Sequence, residues 1–202
     1  DFSLEGYKEV MKYSDVWIGY RNTILYTVAG TVLNVVLTML TGFGLSRKGL
    51  PGRKFITFLF TFTMLFSGGL VPTYLVMNRL NLINTPFAMI FPGAINITNM
   101  IIARTFISSI PDDLEEAAMI DGCSHARYFF EMVVPLSKAI IAVLMLYYAV
   151  GHWNRYFEVV MFINKGEKYT LQVLLRQLIF QGESEVTTQV AVNNFKMAVM
   201  VV

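Results

Sequence analysis

The chain has 202 residues, 55% of them hydrophobic and only 15% charged, with a mean hydropathy of +0.54. Soluble domains carry about 25% charged residues, so this composition argues against a soluble globular protein. A net charge of +2 with no long basic patch argues against a nucleic-acid partner, and the single cysteine, Cys123, excludes an internal disulfide.

The few charges are clustered. Residues Asn22 to Ser46, Phe55 to Asn78 and Leu80 to Ala103 carry none, and Met132 to Asn154 holds only Lys138 and His152. Each run is close to the roughly 20 apolar residues that cross a bilayer. In chain order, a short interfacial helix is expected over Asp1–Tyr20, with Trp17 and Tyr20 at headgroup level. Spans follow over Arg21–Leu45, Phe55–Met77, Pro86–Ile107 and Met132–His152. Pro135 falls in the first turn of the fourth, where a proline costs little. A long amphipathic stretch runs from Trp153 to about Asn194, and Met197–Val202 begins a further span. The chain starts at Asp1 with no signal-peptide pattern and stops within an apolar stretch. The expectation is therefore an all-α polytopic membrane bundle, one domain over 1–202, truncated at both ends.

Arg47, Lys48, Arg53 and Lys54 crowd the turn after the first span, whereas the next loop holds only Arg79. Positive-inside then places the first turn and the segment Ser108–Glu131 in the cytoplasm. Arg155, Lys165, Lys168, Arg176 and Lys196 run against this assignment, because it leaves Trp153–Asn194 outside.

The spans carry small and weakly polar residues at helical spacing: Thr23, Thr27, Thr31, Asn34, Thr38 and Gly42; Thr57, Thr61 and Gly68; Pro92, Asn96, Asn99 and Ala103. Such stripes pack helices closely or line a pathway. For the second role Asn96 and Asn99 are the candidates, since buried amides suit hydroxyl-rich ligands. Tyr148 and Trp153, with Tyr147 and Tyr156, form an aromatic group at the outer end of the fourth span. Sugar stacking and a headgroup-level belt both account for it. Ser67-Gly68-Gly69 and Pro92-Gly93 are expected to interrupt their helices.

The segment from Ser108 to Ala118 reads as a helix start, with Ser109 as cap, Pro111 in the first turn, and Asp112, Asp113, Glu115 and Glu116 at the positive helix end. Leu114, Ala117, Ala118 and Asp121 are expected to share one face. Gly122 closes the helix in a left-handed turn, and a second helix starts near Ser124. From the residues alone this is a helix–turn–helix on the inner side, shaped either for docking or as a solvated loop.

Glu116-Ala117-Ala118, then Gly122, then Pro135 after the second helix, resembles the cytoplasmic EAA loop of ABC-importer permeases, here over about residues 108–135. Met132 and Val134 stand where that pattern has Ile and Leu. Gly69-Leu70-Val71-Pro72-Thr73-Tyr74, Asn81-Leu82-Ile83-Asn84-Thr85 and His152-Trp153-Asn154 are similar to the carbohydrate branch of these permeases, closest to those for complex oligosaccharides in Gram-positive bacteria.

The resemblance implies a type I ABC-importer transmembrane domain, multi-pass in a bacterial plasma membrane. Its implied partners are a pair of ATPase subunits, a second homologous permease subunit and an extracellular solute-binding lipoprotein. It further implies that Glu116, Ala117, Ala118, Asp121, Gly122 and Pro135 couple to the ATPase, where ATP and Mg would bind, and that this chain holds no cofactor or metal and is not an enzyme. A permease for a non-sugar solute, an ion-coupled secondary transporter, a membrane-embedded enzyme and a non-transporting scaffold are the rivals. The long spans lack Asp and Glu, and no H-E-x-x-H or G-x-S-x-G pattern occurs, which counts against the carrier and the enzyme.

Overall fold

The computed structural model describes residues 14–177 and Phe180, and among these all regular structure is helical. We label the elements α1 (Ser14–Ser46), α2 (Arg53–Leu65), α3 (Leu70–Arg79), α4 (Phe87–Ile90), α5 (Ile97–Ser108), α6 (Asp112–Ile120), α7 (His125–Leu136), α8 (Lys138–Trp153), α9 (Phe157–Phe162) and α10 (residues 171–177).

α1 is the one described helix long and apolar enough to cross a bilayer unaided. Its 33 residues run about 50 Å at 1.5 Å per residue, and they absorb the described part of the interfacial helix expected before Arg21. The remainder of that helix, and the span expected from Met197, lie outside the described residues.

The other expected spans are broken. α2 and α3 meet at 118° across residues 66–69, where Phe66 is extended, so the second span is a bent pair. The fourth span begins at Lys138, not Met132, because α7 and α8 meet at 81°. Pro135 lies beside that bend, at the end of α7. It has no N–H to donate, and the preceding Phe129–Val133 widens into a π turn. The expected third span is divided between four-residue α4, an irregular stretch over 91–96, and α5. At 12 residues α5 is about 18 Å long, short of a 30 Å hydrocarbon core.

α1 packs along both α5 and α8. Its buried positions include Thr23, Thr31, Asn34, Thr38 and Gly42, whereas Leu25, Val28, Val32, Val36 and Leu40 are exposed. This inverts the pattern of a soluble amphipathic helix. Apolar side chains facing outward and small or polar ones facing the neighbouring helices suit a bilayer, where association relies on close packing and interhelical hydrogen bonds. The polar stripe of α1 is thus a packing face. Gly30 shows how tight it is: a Cβ there would lie 2.4 Å from His152 Cε1. The imidazole fills that space, with its Nε2 3.0 Å from Asn34 Nδ2.

Two apolar clusters mark the bundle's ends. One joins Met39, Ala103 and Ile107 to Ala118, Tyr128, Phe129 and Val133. The other joins Tyr26, Met77 and Met89 to Val159, Phe162 and Val173. The segments before and after α8 therefore lie at opposite ends, as the charge-based topology requires.

The second end is stitched by polar groups. Asn22 Nδ2 donates to Glu167 O (2.8 Å) and Tyr169 O (3.1 Å), and the Leu171 N–H donates to Thr23 Oγ1 (2.9 Å). Three of the basic residues that run against positive-inside, Arg155, Lys168 and Arg176, have structural partners here. Arg155 Nη1 donates to Met89 O (2.5 Å), Lys168 Nζ donates to Asn84 O (2.5 Å), and the Arg176 guanidinium sits 4.5 Å from the Tyr156 ring centroid.

Candidate functional site: a helix pair at the inner end

α6 starts at Asp112 with Pro111 as its N-cap and no side-chain cap. Ser109, expected to cap it, instead donates from Oγ to Phe106 O (2.6 Å) and so finishes α5. Asp112, Asp113 and Glu115 occupy the first turn, where negative charge is favoured by the helix dipole.

The helix closes in a Schellman arrangement. The Cys123 N–H donates to Ala118 O (2.9 Å), the Gly122 N–H donates to Met119 O (3.1 Å), and Gly122 has φ +77°, the left-handed conformation expected of it. Ser124 then caps α7 by accepting the Arg127 N–H at 3.3 Å, at the place where the sequence predicts a second helix to start. Two caps back to back, one made by backbone groups and one by the Ser124 hydroxyl, leave little slack between α6 and α7.

The pair is fixed to the bundle by the packing of Ala118, Tyr128, Phe129 and Val133 against α1 and α5, and by ion pairs. The Arg47 guanidinium, one residue past α1, forms an ion pair with the half-buried Glu115 carboxylate and lies 4.5 Å from the Phe43 ring centroid. His125 Nδ1 is 3.6 Å from the other Glu115 oxygen. Lys48 Nζ donates to Asp112 Oδ2 at 2.5 Å; that bond, and then the charge on Lys48, hold the Asp112 carboxyl below the usual carboxylate range. Arg47, Lys48 and Glu115 were not among the site residues that the sequence singled out. Opposite charges on two segments assigned to the same side of the membrane were the available signal.

Of the face expected to carry Leu114, Ala117, Ala118 and Asp121, only Ala118 turns inward, at 4% exposure. The other three are exposed, together with Glu116 and with Ile120 at 86%. Glu116 makes no ion pair among the described residues. Glu116, Ala117, Asp121 and Gly122 thus sit on one exposed turn. Pro135, also exposed, is at the far end of α7, away from them.

Two of the candidate pathway residues meet. Tyr148 Oη is 2.7 Å from Thr38 Oγ1 and accepts the Asn96 N–H at 3.0 Å. The Asn96 side chain accepts the Asn99 N–H at 3.1 Å and caps α5. Asn99 lies one turn along, buried. Trp153 is apart from them, edge-on to Tyr20 at 5.9 Å.

The bundle thus has an outward-facing apolar surface and a helix pair tied to one end by ion pairs. The family described as binding-protein-dependent transport system inner membrane component matches residues 18–202. The chain belongs to that family. It is 43% identical over 178 residues to the polygalacturonan/rhamnogalacturonan transport system permease protein YtcP of Bacillus subtilis, across 88% of this chain and 62% of that protein. To protein LplC of the same organism it is 38% identical over 208 aligned positions, spanning 100% of this chain and 70% of LplC. A bacterial ABC transporter involved in the import of the acidic polysaccharide alginate superposes with a TM-score of 0.85 at 33% identity, over 88% of this chain and 63% of that one. The chain therefore spans somewhat under two thirds of YtcP and of the alginate transporter subunit.

Proposed function

We propose that this inner membrane component forms part of the translocation pathway of an ATP-driven importer for an oligosaccharide, and that α6 and α7 couple it to a separate ATPase. The observation that carries the coupling role is the exposed turn of Glu116, Ala117, Ile120 and Asp121 beside a left-handed Gly122, on a helix anchored from behind through Glu115 and Asp112. A helix held on one side by ion pairs and bare on the other transmits force when a partner grips the bare side. Glu116 offers that partner an unneutralised carboxylate, and Ala117 permits close approach. Movement of α6 would pull on α1 through Arg47, and on α8 through the bend at Ser137. That is a rigid-body switch between two packed arrangements.

The oligosaccharide reading rests on the relatives' names and on the amide and phenol groups of Asn96, Asn99 and Tyr148, which suit hydroxyl-rich ligands. The matching partners are an ATPase pair bearing ATP and Mg, a second permease subunit and an outer solute-binding protein, all in a bacterial cell membrane.

The test is uptake of labelled oligosaccharides by the full-length chain assembled with its partners in proteoliposomes. Uptake that requires ATP and is abolished by Glu116→Lys supports the proposal. Uptake that proceeds without ATP on an ion gradient would replace it with a secondary carrier. ATP-dependent uptake of a non-sugar solute alone would keep the coupling role and refute the substrate.

A further inference from the structure

We propose that the inner mouth between α2 and α5 is a binding site for the phosphate headgroup of an anionic phospholipid. Arg53 at the start of α2 and Arg104 near the end of α5 line one continuous open cleft, with Lys54 beside them. No Asp or Glu lines these two stretches, and the carboxylates of Asp112, Glu115 and Glu116 border the neighbouring cavity on the other side of Arg53. Neither guanidinium has a hydrogen-bond or ion-pair partner among the described residues, in contrast to Arg47, Lys48 and Arg127, which each hold a carboxylate. Both arginine residues are partly buried, so the two positive charges are held close in a setting that screens them less than open water does. Ser108 and Thr57 also stand at its wall, and Thr57 Oγ1 has no hydrogen-bond partner. Planar guanidinium forks with neighbouring hydroxyls match the oxygens of a phosphodiester.

The depth selects a lipid over a free phosphate. Arg53 and Arg104 each stand at the inner end of a charge-free run, beside the turn that carries the other basic residues. Phe58, in the wall of the cleft, is exposed, and Phe55, Leu59 and Phe62 extend an exposed apolar face of α2 away from it. A basic pocket between membrane helices on the cytoplasmic side is the setting in which anionic headgroups are held. This rests on the membrane placement of the chain and not on the coupling role of α6.

The experiment uses the full-length chain in its assembled importer, reconstituted in bilayers of phosphatidylcholine with or without phosphatidylglycerol, then extracted gently and weighed by native mass spectrometry. The intact importer is expected to retain phosphatidylglycerol and to melt at higher temperature in its presence. The double variant R53Q/R104Q should retain about thirtyfold less, the R53K/R104K pair, which keeps the charge and loses the fork, should retain an intermediate amount, and R79Q on the opposite side should change nothing. Equal retention by R53Q/R104Q would overturn the proposal. If the variants fail to assemble, the unaltered importer still decides: stabilisation by inorganic phosphate equal to that by phosphatidylglycerol, or no stabilisation by either, would overturn it. So would cross-linking from Arg104→Cys that finds a partner subunit filling the cleft. Failure here with ATP-dependent uptake intact leaves the proposed function standing.

Discussion

Arg47 and Glu115 form an ion pair across 68 positions of sequence, and that contact ties the end of α1 to the first turn of α6. Both side chains are 20% exposed, which sets this pair apart from Lys48–Asp112, whose members are 81% and 60% exposed. Solvent-exposed pairs contribute about 0–1 kcal/mol, whereas hydrogen bonds to charged, part-buried groups contribute about 1.5–3 kcal/mol. The Arg47–Glu115 contact is thus the principal strap.

Arg47→Ala is expected to loosen α6 without unfolding the bundle. Amide hydrogen exchange over residues 112–120 should speed up about tenfold, corresponding to about 1.4 kcal/mol, with exchange in α8 unchanged. The exchanged pair Arg47→Glu with Glu115→Arg should recover part of the loss, and a double-mutant cycle measures the coupling.

The second strap depends on pH. Lys48 holds the Asp112 carboxyl below its ordinary value, so its contribution is fully present above the unfolded-state value and disappears as pH falls through the lowered one. Lys48→Ala should move the Asp112 midpoint up towards that of a free aspartate. A titration of the carboxyl signal by infrared or carbon NMR reads this directly; an unmoved midpoint would show that the pair does not persist.

Gly122→Ala and Gly122→Asn separate backbone from sterics. A Cβ at Gly122 meets nothing within 4 Å, so only the left-handed φ penalises it. Alanine is expected to cost about 1–2 kcal/mol at the turn, and asparagine less. Uptake should fall in the order glycine, asparagine, alanine, valine, with membrane insertion constant throughout.

Gly30→Ala attacks the bundle itself. Its Cβ would collide with the His152 ring, and overpacking of this kind costs about 1–3 kcal/mol. The melting temperature of the purified protein should drop. Gly44→Ala, with nothing within 4 Å of its Cβ, should leave it unchanged. Replacing His152 with serine in the Gly30→Ala background should restore part of the loss.

Several features were legible in the sequence because each depends on local chemistry. The α1 span, the left-handed turn at Gly122, the cap at Ser124 and the helical class all follow from hydrophobic runs and turn residues. Helix continuity was legible only in part, because a charge-free run looks alike whether its helix is straight or bent. Two breaks were nevertheless marked by turn residues, since Ser67-Gly68-Gly69 falls in the 118° break between α2 and α3 and Pro92-Gly93 in the irregular stretch between α4 and α5. The 81° bend between α7 and α8 had no such mark, because Pro135 beside it reads equally as a first-turn residue. Ser109 was assigned to the wrong helix because a serine hydroxyl serves equally as a cap or as an acceptor's partner to the preceding turn. The straps at Arg47 and Lys48 have no local signature, since their carboxylate partners lie 68 and 64 residues away. Buried contacts such as Asn34 with His152 required the packing of α1 on α8, which no single residue discloses.

The most direct measurement is site-specific cross-linking from Ala117→Cys, in a Cys123→Ser background, within the assembled full-length importer. The expected result is a covalent adduct with a nucleotide-hydrolysing subunit whose yield changes on adding ATP, and protection of Ala117→Cys from impermeant thiol reagents applied outside intact cells. Labelling from the outer face, or adducts that never include such a subunit, would contradict it.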